Sequence, residues 1–204
     1  MKKITKKISS YFTNKINLYG RNFKGVDWNS KKSQYQRFAI LSKIISLNKG
    51  SVNDIGCGYG EYSKYLLKKF KKIDYIGYDL SKNMINNAIK INPRAKFINI
   101  SNLKEILEAD FSIMSGVFNI KLKFSNAEWR KYILRSLEIV NSKSRIGFSF
   151  NLIKKFNLKL KKKNNNLYYA NADFFYNYCK KNFSKKVYLE DTYGLHEFTI
   201  FVKK

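Results

Sequence analysis

The chain of 204 residues holds one proline, two cysteines, one histidine and only 14 acidic side chains against 41 basic ones. Each scarcity excludes something. Two cysteines cannot staple a domain with a disulfide framework. Cys57, inside a glycine turn, and Cys179, on an apolar helical face with Phe174, Phe175 and Tyr178, read as buried thiols. A single histidine leaves no zinc constellation, so no metal is expected. No stretch approaches the roughly eighteen apolar residues of a membrane span. The basic opening, Met1 to Phe12, never reaches the apolar segment of a secretory signal. The expectation is a cytoplasmic protein without a membrane span, its oligomeric state open.

The shortage of acids gives a net charge of +27, which invites a nucleic-acid reading. Lysine, asparagine and isoleucine are all abundant, a trio favoured by an A- and T-rich genome. That background covers part of the lysine count and none of the acid deficit, so affinity for polyanions stays open.

What the chain does have is concentrated at Val52 to Gly60, Val-Asn-Asp-Ile-Gly-Cys-Gly-Tyr-Gly. An apolar β run breaks into glycines at every second position, Gly56, Gly58 and Gly60, with Asp54 just ahead. Glycine tolerates positive φ and lets ligand atoms reach the main chain, as strand-to-helix turns that cradle nucleotides require. A dinucleotide fingerprint would place its third glycine at position 61, where a helix N-terminus receives a pyrophosphate. Glu61 stands there instead. A carboxylate repels pyrophosphate and, with Asp54, suits a ligand carrying an ammonium and a sulfonium.

About twenty residues on, Ile73 to Tyr78 forms a second apolar run ending in Asp79, where an acid accepts hydrogen bonds from both ribose hydroxyls. Ser81 caps a helix whose inward face is Met84, Ile85, Ala88 and Ile89, stopped near Pro93. Together these residues resemble the class I S-adenosylmethionine-dependent methyltransferases, whose first motif reads acidic-x-Gly-x-Gly-x-Gly and whose second is an acid after the next strand. The resemblance covers Val52 to Phe118 closely and the rest in outline. It implies an α/β fold with a doubly wound, Rossmann-like sheet of seven strands, the last antiparallel, and S-adenosyl-L-methionine as cofactor. The chain has room for one such domain over 1–204, with an N-terminal arm and helix at 1–48 and the core at 49–204.

The same resemblance implies a site. Asp54, Gly56, Cys57, Gly58, Tyr59 and Gly60 would hold the cofactor from the first motif, and Asp79, Leu80 and Met84 from the second. Asn102, Ser115 and Gly116 would complete it from later loops. Asn102 or Ser101 occupies the loop where the family often has an acid for the adenine amino group. Trp28 and Arg37 from the arm, Phe118 and Asn119 after the fourth strand, and Tyr193 near the end would face the acceptor. Trp28 and Phe23 either pack beside the sulfonium or anchor the arm to the core.

Elsewhere the chain alternates. Residues 1 to 32 read as a polar, basic arm, followed by a helix from Ser33 to Leu47 that buries Phe38, Leu41, Ile44 and Ile45. Glu61 to Phe70 is amphipathic through Tyr62, Tyr65, Leu66 and Phe70. Lys96 to Ile100 reads as a strand before a helix with Leu103, Ile106 and Leu107. Phe111 to Met114 is the fourth strand. Ser125 and Glu128 form a capping box for a helix bearing Trp129, Ile133, Leu137 and Val140, and Arg145 to Phe150 is the fifth strand. Lys154 to Asn166, dense in Lys and Asn, interrupts the rhythm as a surface excursion, a cleft lid or a polyanion strip. A helix from Asn171 to Lys181 precedes strands Lys186 to Glu190 and Glu197 to Val202, and their short turn makes them antiparallel.

Methyl transfer is a displacement in which the cofactor supplies reactivity and the protein supplies orientation. A hydroxyl acceptor would gain from a general base, for which His196 is the candidate. The leading reading is methylation of an O or N atom of a small molecule, with sugar or glycan precursors in view. The alternative is an RNA-modifying enzyme using the basic surface, against which stands the absence after strand four of the acidic or Asn residue, Pro-Pro and aromatic used by nucleic-acid amino-methylating enzymes. A non-catalytic cofactor-binding module is the third reading.

Overall fold

The computed structural model describes residues 1–47, 49–155 and 164–204. Its centre is a sheet in the order β3-β2-β1-β4-β5-β8-β7, built from β1 (Lys49–Ile55), β2 (Lys72–Asp79), β3 (Lys96–Asn99), β4 (Ala109–Met114), β5 (Ser144–Lys154), β7 (Lys186–Glu190) and β8 (Glu197–Lys203). All neighbours run parallel except β8, which is antiparallel to both β5 and β7. The seven expected strands are therefore present with the last one reversed. An eighth, the two-residue β6 (Tyr169–Ala170), pairs parallel with the end of β5.

Strand side chains alternate between faces, and two apolar clusters follow. Ile55, Met114, Phe148, Phe150, Ile200 and Val202 join one cluster with α5 (Asn126–Lys143) and α6 (Ala172–Asn182). Val52, Phe111, Ile113 and Phe201 join another with α2 (Lys31–Leu41) and α3 (Glu61–Lys69). Helices thus cover both faces, as parallel sheets require. The capping residues act as read: Ser81 Oγ accepts from the Met84 N–H at 3.3 Å, opening α4 (Lys82–Ile91), and Ser125 with Glu128 closes a reciprocal box.

Several local expectations are corrected. The polar arm begins with an 18-residue helix, α1 (Lys2–Tyr19). Ile4, Ile8, Phe12 and Ile16 recur every four residues, and the core buries that stripe behind intervening lysines. The helix expected from Ser33 runs as α2 and then tightens into a 3-10 turn at Ser42–Ile44. The helix expected at Leu103 is one 3-10 turn, Leu103–Glu105, with Leu107 exposed. Ile89 is likewise exposed, whereas Met84, Ile85 and Ala88 are buried.

Of the excursion expected over Lys154 to Asn166, residues 156–163 lie outside the described residues. The Asn166 carbonyl accepts the Lys121 and Leu122 N–H groups at 2.8 and 3.0 Å, and Leu167 bridges Ile120. Asn166 and Leu167 therefore lie against the loop that follows β4. Among the described residues, no helix is long and apolar enough to cross a membrane.

Candidate functional site

The carboxyl ends of β1, β2 and β4 open onto a cavity of about 220 Å³. Its floor is the glycine turn. Gly56 and Gly58 have φ of +72° and +55°, conformations other residues rarely adopt. The Gly56 and Cys57 N–H groups donate to the Tyr78 carbonyl at 2.7 and 3.0 Å, which lashes the turn to β2. Asp79, ending β2, secures the same turn with its side chain: Oδ2 accepts from the Gly58 N–H at 2.9 Å and Oδ1 from the Ser81 N–H at 2.8 Å. Burial pushes the Asp79 carboxyl up to about 6, against the opposing pull of these N–H groups. Asp54 is buried beneath, accepting from Tyr75 Oη at 2.6 Å, and burial raises it to about 7. Burial also holds the Cys57 thiol well above its ordinary range. It is a wall residue in its neutral form.

Five acids line this cavity among the described residues, Asp27, Asp54, Glu61, Asp79 and Glu197, with Arg37 the single basic side chain. Two of the five are already neutralised, Asp27 by Lys15 and Glu197 by Arg37, so the acids left to suit a cationic ligand group are Asp54, Glu61 and Asp79 around the glycine turn. Glu61 also accepts from Tyr35 Oη at 2.7 Å.

The roof comes from the N-terminus. Ile8, Ser9 and Phe12 of α1 and Val26, Asp27 and Trp28 of the following turn all line the cavity. Ser9 Oγ donates to the Leu80 carbonyl at 2.8 Å, Thr13 Oγ1 meets Ser81 Oγ at 2.7 Å, and Lys15 pairs with Asp27 at 2.6 Å. These bonds tie α1 and its turn to the loop that follows Asp79.

The structure brings most sequence-selected residues together. Asp54, Gly56, Cys57, Gly58 and Tyr59 line the cavity, as do Asp79, Leu80 and Met84. Ser115, Gly116, Trp28, Arg37 and Asn119 join them. Five others stand outside its lining, each for a physical reason. Gly60, at φ +85°, is where α3 meets α4: a Cβ there would lie 2.9 Å from Ala88 Cβ. Asn102 caps the 3-10 turn by accepting from the Lys104 N–H at 3.0 Å, and lines an adjoining groove between α1 and that turn. Phe118 is fully buried between Tyr132 and Phe150. Tyr193 is buried against Thr199, its hydroxyl 3.0 Å from Thr199 Oγ1. His196 is exposed just before β8, and its backbone carbonyl accepts the Lys154 N–H at 3.0 Å. Phe23 also lies outside the lining, whereas Trp28 is part of it.

Local sequence reading missed several polar wall residues, Ser9, Asp27, Asn29, Gln34 and Glu197, of which Glu197 comes from the far end of the chain. Because β8 runs antiparallel, its first residue sits opposite Ile153 at the end of β5 and so reaches the cavity edge of the sheet. The short turn before β8 held that signal. Ile120, Ile153 and Leu167 add an apolar stretch on the same side.

Comparison with known proteins places this geometry. Residues 52–141 match the model of a family described as "Methyltransferase domain". The Mycobacterium tuberculosis (strain H37Rv) protein named "Putative methyltransferase Rv1506c" is 41% identical over 155 residues, spanning 76% of this chain and 93% of its own. In structure, the magnesium protoporphyrin IX methyltransferase of Synechocystis PCC 6803, solved with bound SAM, superposes with a TM-score of 0.68 at 16% identity, covering 98% of this chain and 97% of that one. The 1,6-didemethyltoxoflavin-N1-methyltransferase of Burkholderia thailandensis, solved with 1,6-didemethyltoxoflavin and S-adenosylhomocysteine, gives 0.63 at 15% identity, covering 96% and 88%.

Proposed function

Because the chain belongs to the S-adenosylmethionine-dependent methyltransferases, we propose that it methylates an O or N atom of a small molecule enclosed in this cavity. The residues fit the cofactor. Each Asp79 oxygen holds one backbone N–H and keeps a lone pair, leaving a bidentate acceptor for a ribose diol. Ser115 Oγ is buried against the cavity without a hydrogen-bond partner, a polar group suited to a bound ligand. Asp79 and Glu61 beside the glycine turn favour an ammonium and a sulfonium. S-adenosylmethionine supplies the electrophilic methyl group; the chain's residues orient the two partners and exclude water.

The observation that carries the small-molecule reading is the roof. Ile8, Phe12 and Trp28 cover the cavity and are fastened to the body of the protein, so an acceptor has to fit beneath them. Two polar groups on the acceptor side are already paired: Asn119 Oδ1 accepts from the Ile153 N–H at 3.2 Å, and Glu197 holds Arg37. What remains free there is largely Ile120, Ile153 and Leu167, which favours an acceptor with an apolar face. A sugar or glycan precursor belongs to this reading when it carries such a face. The two thiols are buried and unpaired, in keeping with a reducing cytoplasm.

RNA is the second reading, supported by Lys2, Lys3, Lys6 and Lys7, all exposed on α1. Tritiated S-adenosylmethionine incubated with total RNA and with a small-molecule extract separates the two. Label in the small-molecule fraction is the expected result; label confined to RNA overturns it.

A further inference from the structure

Asp79 at the end of β2 marks the ribose side of the site. In the order β2-β1-β4-β5-β8, the ends of β5 and β8 lie three and four strands away, roughly 14–19 Å at ordinary strand spacing. A closed circuit of contacts joins those strand ends to Gly116, which follows β4. The Arg37 guanidinium carbon stands 4.0 Å from the centre of the Trp28 ring. Arg37 Nε and Nη2 donate to the two Glu197 oxygens at 2.8 and 2.5 Å, while Nη1 donates to the Ser33 carbonyl at 2.8 Å. Glu197 Oε2 also accepts from Asn151 Nδ2 at 2.6 Å, and Asn151 Oδ1 accepts from the Gly116 N–H at 2.7 Å. The circuit closes on the indole, since a Cβ at Gly116 would fall 2.3 Å from Trp28 Cη2.

Arg37, Glu197 and Asn151 are all buried. Burying an ion pair is costly, and an apolar pair of similar volume is often as stabilising. Stability alone therefore does not account for this one. What the pair supplies is geometry: two parallel hydrogen bonds and a third to Ser33 leave the planar guanidinium one orientation. That orientation fixes the plane on which Trp28 stacks. We propose that Glu197 is a positioning residue for methyl transfer, acting through Arg37 to hold the Trp28 indole as a wall of the acceptor subsite. The inference rests on the reading above, that this side of the cavity takes a small-molecule acceptor.

Trp28 can be followed directly. The second tryptophan, Trp129, is fully buried, so acrylamide quenching of fluorescence reports on Trp28. In Arg37→Lys the ammonium still pairs with Glu197 but cannot stack as a plane; in Glu197→Gln the guanidinium loses its charged partner. Both variants are expected to raise quenching severalfold, to keep wild-type affinity for S-adenosylhomocysteine by calorimetry, and to lower tritiated methyl transfer into the small-molecule extract. If Glu197→Gln does not fold, Arg37→Lys, which retains the buried charge pair, carries the test. Wild-type quenching in folded Arg37→Lys overturns the positioning role. Raised quenching with undiminished transfer leaves the indole clamp standing but removes Trp28 from the acceptor subsite. Affinity for S-adenosylhomocysteine that falls in step with transfer assigns the wall to the cofactor and overturns the proposal.

Discussion

The Gly58 backbone N–H donates to Asp79 Oδ2 at 2.9 Å, so the turn that follows β1 is closed by the side chain that ends β2. One carboxylate thereby shapes the glycine turn and lines the cavity proposed to hold the cofactor. Asp79→Ala removes both functions. Binding of S-adenosylhomocysteine is expected to weaken by about 1–3 kcal/mol, measured by calorimetry; unchanged affinity removes Asp79 from the site.

The pH dependence of binding follows from the same group. Burial raises the Asp79 carboxyl to about 6. Below that pH it gains a proton and loses acceptor capacity toward the ribose hydroxyls. Affinity for S-adenosylhomocysteine is expected to be flat above pH 6 and to fall beneath it, with the Asp79→Asn variant lacking the step.

Asp54 affects stability instead. Its folded carboxyl is raised from 3.8 to about 7, chiefly by burial. A group raised on folding stabilises the native state fully below its unfolded value, and that contribution is lost as pH rises through the folded value. Asp54→Asn is therefore expected to flatten the fall in Tm between pH 4 and 7, read by thermal denaturation across that range.

Gly60 belongs to packing more than to ligand contact. At φ +85°, with Ala88 Cβ and Cα 2.9 and 3.1 Å from an added Cβ, Gly60→Ala strains the turn and pushes α3 from α4. A loss of about 1–3 kcal/mol in stability is expected from chemical denaturation.

The parts of this site that were legible in the sequence are those in which chemistry and chain order coincide. Asp54, Gly56 and Gly58 lie within five residues, and Asp79 follows a recognisable strand, so local pattern was enough. Ser81 and the Ser125–Glu128 box were legible because capping is local as well. Glu197 was not, because its partner Arg37 lies 160 residues away and its meaning depends on which strand β8 pairs with. Helix α1 escaped for a different reason: Ile4, Ile8, Phe12 and Ile16 supply the apolar stripe, but lysines on the outer face lower the hydropathy of the whole segment. Phe118 illustrates the opposite error. It follows the strand end that opens on the cavity, yet the Trp129 Nε1–H bond to its carbonyl at 2.8 Å accompanies a ring turned into the core.

The helix missed in the sequence makes its own prediction. Ile16 is buried with Tyr59 and Met84 beside the cavity. Ile16→Ala is expected to cost about 2–5 kcal/mol in stability, measured by urea denaturation. A neutral result would detach α1 from the folded core.

The central claim is that the turn after β1, with Asp79, holds a sulfonium nucleoside. Calorimetric titration of the wild-type protein with S-adenosylmethionine, and separately with nicotinamide adenine dinucleotide, tests it most directly. The account predicts single-site heat with the first and none with the second. Heat from the dinucleotide alone would contradict it.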